Sequence, residues 1–285
     1  MGGFFHRHRG LTPYLLLAPG VLWLAIFFLV PLGFLGHDSL KSGVFPDFSF
    51  TWQFSNFSSA ISDYHEQLLR SFLYAGIATV ACLVLAYPLA YWIAFRAGPW
   101  RNLFLLIIVA PFFVTYLVRT LAWLNILADQ GPIVRVLRDV HLLAPDGRLL
   151  ATTFAVIAGI TYNFFPFMAL PLYVSLEQID PRLMEAAKDL YASPTQAFLR
   201  VTLPLSAPGI VAGTLITFIP AAGDFINATF LGTPNQAMIG NVIQAKFLEA
   251  LDYPSAAALS FILMATIVVI LLVYARIVGT EKLTG

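Results

Sequence analysis

Apolar runs long enough to cross a bilayer recur along this chain, and they constrain its fold more than any other feature. They cover about residues 11–35, 68–95, 103–127, 150–176, 205–221 and 256–274, and about 20 apolar residues in a helix span the hydrocarbon core. No water reaches that core, so each backbone donor and acceptor must pair within its own segment, which makes these runs α-helices. Composition agrees: 59% of the residues are hydrophobic and 11% are charged, against about a quarter charged in soluble domains. The expectation is an all-α polytopic membrane protein with about six spans, in which residues 1–10 form a cytosolic segment and 11–285 a transmembrane domain. Basic residues precede the first run, as in a signal peptide, but its length, its Pro13, Pro19 and Pro31, and the lack of a small-residue cleavage site read it as a retained span.

Charge sets the orientation. One set of connections carries Arg7, Arg9, Arg96, Arg101, Arg182, Lys188, Arg200, Arg276 and Lys282, nine residues; the other, though longer, carries the five residues Lys41, Arg135, Arg138, Arg148 and Lys246. The positive-inside bias then places both termini and residues 177–204 in the cytosol. Residues 36–66, acidic and dotted with aromatics, read as an external loop against the membrane surface. Residues 128–150 read as a second external connection with a helical piece at 133–140, and residues 222–254 as external or re-entrant. Prolines recur in or beside nearly every span, and broken spans are tolerated where freed carbonyls face protein or a watered path.

Several functions are disfavoured. The dispersed basic residues give no nucleic-acid footprint. Cys82 is the one cysteine, which rules out an intrachain disulfide and an all-cysteine metal site, and its apolar run makes it a small buried hydrophobe. His6 and His8 flank Arg7 without a third ligand nearby, and His37, His65 and His141 are isolated and read as loop residues. No Walker A motif occurs, so the chain is not expected to hydrolyse ATP, and no nucleophile, base and orienting acid come together in the sequence.

Residues 177–204 are a polar interruption between two apolar runs. Asp180-Pro181 has the form of an N-cap and first helical position, with good helix formers from Arg182 to Tyr191. Ser193-Pro194 is a second start signal, and Thr195 to Val201 continue a short helix until Pro204. The expectation is a helix, a turn and a second helix between two spans, suited to docking on something in water.

Glu185-Ala186-Ala187, followed by Val201-Thr202-Leu203-Pro204, resembles the EAA loop of permease subunits in bacterial ABC importers. Arg119 to Trp123, Leu231-Gly232, Ile239 to Ile243 and Asp252-Tyr253-Pro254 resemble the spermidine/putrescine subgroup. The glycine that the family carries four residues after the second alanine is Tyr191 here, which leaves the tightness of the turn open and the connection to Ala192, Ser193 and Pro194.

The resemblance implies a type I importer permease fold in the bacterial inner membrane and a coupling helix that docks in a groove of an ATP-binding subunit. Arg182, Glu185, Ala186, Ala187, Tyr191, Val201, Leu203 and Pro204 would form that coupling site. It also implies a homologous second permease, two ATP-binding subunits that carry ATP and Mg, an extracytoplasmic solute-binding protein, and no cofactor on this chain. For a polyamine path, the candidates are Asp224 with Asn227, three residues apart and on one face if helical, and the aromatic faces of Trp123, Tyr162 and Phe165. An importer for an opine, another amine or a phosphonate, and an ion-coupled secondary transporter, remain the alternatives, the last without a visible internal duplication. A membrane-embedded enzyme or scaffold is weaker, because no acid, base or metal groups converge at one depth.

Overall fold

A computed structural model describes residues 12–278; the expected cytosolic segment 1–10, with His6 and His8, lies outside them. The described residues divide into two compact units, one formed by the chain up to Asp63 with Ala245–Ile262, the other by Tyr64–Gln244 with the residues from Leu263.

The first unit opens with α1 (Thr12–Leu24), a π-helical turn at Ala25–Leu29 and α2 (Val30–Ser39), which together give an apolar helix from Leu16 to Ser39. Pro31 explains the π turn. It lacks an N–H, and its ring crowds the carbonyl four residues back, so the ladder widens over the preceding residues. Next come β1 (Lys41–Val44) and β2 (Asp47–Phe50), antiparallel with Lys41 opposite Phe50 and Val44 opposite Asp47. Gly43 has φ 119°, and a Cβ there would lie 2.2 Å from the Asp47 carbonyl oxygen, so only glycine closes this hairpin. The hairpin adds two strands to an otherwise helical fold, in a connection expected to be irregular. The Asn56 amide fastens the strands to α2 and α3 by donating to the carbonyls of Ser39 and Lys41, each at 2.9 Å.

α3 runs from Ser55 to Phe95, longer at its start than the expected 68–95; Tyr64, with φ −125° and ψ 16°, interrupts it. His37 and His65 therefore lie in helices, not loops. In the second unit, the expected span 103–127 is two helices. α4 (Arg101–Val109) ends in a 3-10 turn at Ala110–Phe113, Val114 and Thr115 are extended, and α5 (Tyr116–Leu127) follows at 97° to the stretch before the break and leads on to α6 (Pro132–Asp139). Pro111 removes a donor at the break.

α7 (Thr153–Glu177) is the buried centre of this unit. α8 (Pro181–Asp189), α9 (Pro194–Ala197), a π turn at Phe198–Thr202, α10 (Leu203–Leu205) and α11 (Ala207–Ala222) follow, then α12 (Ile226–Leu231) and α13 (Ile239–Gln244). Pro204 stands after its π turn as Pro31 does after the first, so the second hairpin helix passes through Pro204 instead of stopping there. α11 meets the helices before it at 60°. The segment expected as external or re-entrant at 222–254 is well packed in its first half: Asn241 donates to the Phe225 carbonyl at 2.9 Å, and the Ser71 hydroxyl accepts from Ile239 N at 2.7 Å.

α14 (Tyr253–Val278) closes the chain. Among the described residues four helices are long and apolar enough to cross a membrane, or up to six if each bent pair is one span. Two cores line α7, one around Ile160, Phe164, Leu231 and Met238, the other around Ile93, Met168, Leu172 and Leu176. Cys82 is fully buried in the second, as expected of a small hydrophobe.

Candidate functional site

The polar interruption folds as two capped helices. Asp180 accepts a hydrogen bond from Arg182 N at 2.9 Å, with Pro181 behind it at the first helical position. Ser193 and Gln196 form a reciprocal capping box, with Pro194 between them. The turn between the helices is a Schellman motif: Ala192 N donates to the Ala187 carbonyl at 3.0 Å and Tyr191 N to the Lys188 carbonyl at 2.9 Å. Such a motif needs a left-handed residue after the cap, and Tyr191 supplies it with φ 57°. The turn is thus as tight as a glycine would make it, although a Cβ in this region costs roughly 1–2 kcal/mol.

The hairpin presents a concave face of about 400 Å³, lined by Leu183, Ala186, Ala187, Leu190, Tyr191, Ala192 and Val201 among others. Small side chains at 186 and 187 make this hollow. Arg182, Glu185, Lys188 and Arg200 are exposed around it, Leu203 is half-buried and Pro204 exposed. Glu185 makes no ion pair among the described residues; the nearby pair is Arg101 with Glu177, at the base of the hairpin. The second helix is tied to α3: the hydroxyls of Tyr87 and Ser206 lie 2.8 Å apart, and Phe198 packs edge-on to Tyr87 and Tyr91. The hairpin and α3 are thus in direct contact.

Asp224 and Asn227 meet, but not on one helix face: Asp224 stands before α12, outside any helix, and its carboxylate reaches the start of that helix. The Asn227 amide donates to Asp224 Oδ2 at 2.9 Å, Asn227 N to the same oxygen at 3.2 Å, and Ile226 N and the Tyr116 hydroxyl to Oδ1 at 3.3 and 2.9 Å. Asp224 thus caps α12. Thr120 and Asn163 extend this cluster through Asn227 Oδ1. Trp123, Tyr162 and Phe165 also come together, the first two 5.4 Å apart edge to face, but they line a separate cleft of about 440 Å³ whose other walls are Ala81, Leu85, Phe154, Ile157, Ala158 and Thr161. The carboxylate and the three aromatics do not share a site here.

Tyr116 and Arg119 were not anticipated as site residues. Arg119 is buried, its guanidinium carbon 5.5 Å from the ring centres of both Phe112 and Tyr116, and its Nε and Nη1 have no hydrogen-bond partner among the described residues. Its signal was in the sequence: an arginine inside an apolar run is costly unless it serves a purpose. Tyr116 gave none, because a tyrosine in a span is ordinary.

The family model for the inner membrane component of binding-protein-dependent transport systems matches residues 83–279. The chain belongs to this family. It is therefore a multi-pass membrane permease component, the family that Glu185 to Pro204 resembled. The permease is 36% identical over 261 residues to the spermidine/putrescine transport system permease protein PotB of Haemophilus influenzae, covering 89% of this chain and 90% of that one. Identity to PotB of Escherichia coli K12 is 37% over 256 residues, covering 89% and 93%. A solved bacterial ABC transporter involved in import of the acidic polysaccharide alginate has a chain that matches with TM-score 0.75, 18% identity and coverage of 99% of this permease and 98% of that chain. That likeness shows the importer transmembrane fold, as expected, and the fold alone.

Proposed function

We propose that this permease is a transmembrane subunit of an ATP-driven polyamine importer, with spermidine and putrescine as substrates. The substrate class follows from its likeness to PotB, with 36–37% identity over 89% of the chain. The observation that carries the coupling role is the hairpin: two capped helices joined by a tight turn, with an apolar hollow facing out and a span tied behind it.

In this reading the hairpin lies in the cytosol, with both termini, and seats on an ATP-binding subunit that carries ATP and Mg. A homologous permease supplies the other half of the path, a second ATP-binding subunit meets it, and a solute-binding protein delivers the polyamine from outside. ATP binding draws the two hairpins together, the spans open outward, and hydrolysis resets them. Hydrolysis belongs to the partner, and the chain itself does no covalent chemistry. Along the path, Asp224 with Asn227 offers a carboxylate to an ammonium group, and Trp123, Tyr162 and Phe165 offer ring faces.

The test is ATPase activity of the co-purified complex in lipid, with and without binding protein loaded with spermidine or putrescine. Stimulation by the loaded protein is expected. In Glu185→Ala the stimulation should fall at least about tenfold while the complex still assembles, because the contact being removed transmits closure. Uptake that follows an ion gradient with no ATP-binding subunit retained would sink the reading.

A further inference from the structure

Within the hairpin, Tyr191 is the residue that folding alone explains least. Its φ of 57° is one that glycine adopts without strain, and the Schellman turn it closes asks nothing of its side chain. That side chain is 97% exposed, and the neighbouring Leu190 is 82% exposed. Two large side chains thus stand exposed at the tip, one of them on a left-handed backbone that costs it stability. The surrounding charge indicates what covers them. Arg182, Glu185, Lys188, Asp189 and Arg200 are all exposed, three basic and two acidic, whereas a surface built for anionic lipid would be predominantly basic. A mixed polar rim around a rigid aromatic is the pattern of a protein interface.

Resting on the coupling role proposed above, we infer that Tyr191 is a binding hot spot for the ATP-binding subunit, its ring and Leu190 seating in an apolar pocket there. This permease then holds its ATP-binding partner through an aromatic anchor that a glycine at the same turn cannot provide.

The experiment compares the native permease with Tyr191→Gly and Tyr191→Phe, in complexes reconstituted in lipid. Tyr191→Gly should leave the thermal stability of the isolated permease equal or higher, because the left-handed position loses its clash. It should weaken capture of the ATP-binding subunit by about 10–100-fold. Tyr191→Phe should bind as the native protein does. A purely structural role would move stability and capture together, and in the opposite direction for stability. With p-benzoylphenylalanine in place of Tyr191, photocrosslinking to the ATP-binding subunit is expected. Native-like capture by Tyr191→Gly, or crosslinks to lipid alone, overturns the assignment of Tyr191 while leaving the coupling role intact. Failure of the native permease to capture any ATP-binding subunit overturns both.

Discussion

The Asp224 carboxylate accepts hydrogen bonds from Tyr116, Ile226 and Asn227, so an ammonium group arriving there must displace a neutral donor. A cap and a substrate ligand make different demands, and Asp224→Asn separates them. The amide keeps an acceptor for the backbone N–H groups but loses the charge. If polyamine binds here, KM for uptake should rise at least about tenfold with basal ATPase unchanged, as charge-assisted bonds are lost. An unchanged KM with a lowered melting temperature would leave Asp224 as a cap only. Asp252 makes a second residue-scale case. Burial would raise its carboxyl, but hydrogen bonds from Ser255 and Lys246 outweigh it and hold it below the usual range. A folded value below the unfolded one stabilises the protein above the ordinary carboxylate range, and that stabilisation is lost as pH falls through the lowered folded value. The acid-side fall in melting temperature should therefore be shallower in Asp252→Asn than in the native protein, and an identical pH profile would refute this.

At the scale of elements, the helix pair α7 and α11 depends on two glycines. A Cβ at Gly209 would lie 2.5 Å from the Ser175 Cβ and 2.7 Å from the Pro171 carbonyl oxygen, and one at Gly213 would lie 2.8 Å from Met168 Sδ. Lipid tails give apolar helices no reason to associate, so close backbone approach and dispersion hold such a pair. Gly209→Val should force the helices apart at a cost of about 1–3 kcal/mol, read as a lowered melting temperature in detergent, and Gly209→Ala should do the same to a lesser degree. Gly76→Ala is the control: its Cβ would meet nothing within 4 Å, and alanine favours helix by about 1 kcal/mol. Equal effects at 76 and 209 would sink the packing argument. The π turns before Pro31 and Pro204 belong to this scale too, each placing a proline where a continued ladder would lack its donor.

Across the whole molecule, the proposed coupling requires movement at the hairpin to reach the spans, and the Tyr87–Ser206 contact with the rings around Phe198 joins the two. The Glu185→Ala measurement tests that coupling from its outer end. Much of this was legible in the sequence. The apolar runs determined the spans because hydrophobic length has one use in a bilayer, and Asp180-Pro181 and Ser193-Pro194 determined both starts of the hairpin because capping is local chemistry. Asp224 and Asn227 were expected on one helix face, whereas they meet because the Asp224 carboxylate caps the start of α12. Tertiary structure alone decided the rest. The apolar run at 103–127 does not show the 97° bend after Pro111. Separation of Trp123, Tyr162 and Phe165 from Asp224 depends on how α5, α7 and α12 pack, which no local pattern contains. Tyr191 joins the two: its residue type hid the turn, and only the backbone, held by Ala187 and Lys188, showed that a tyrosine had been placed where glycine fits best.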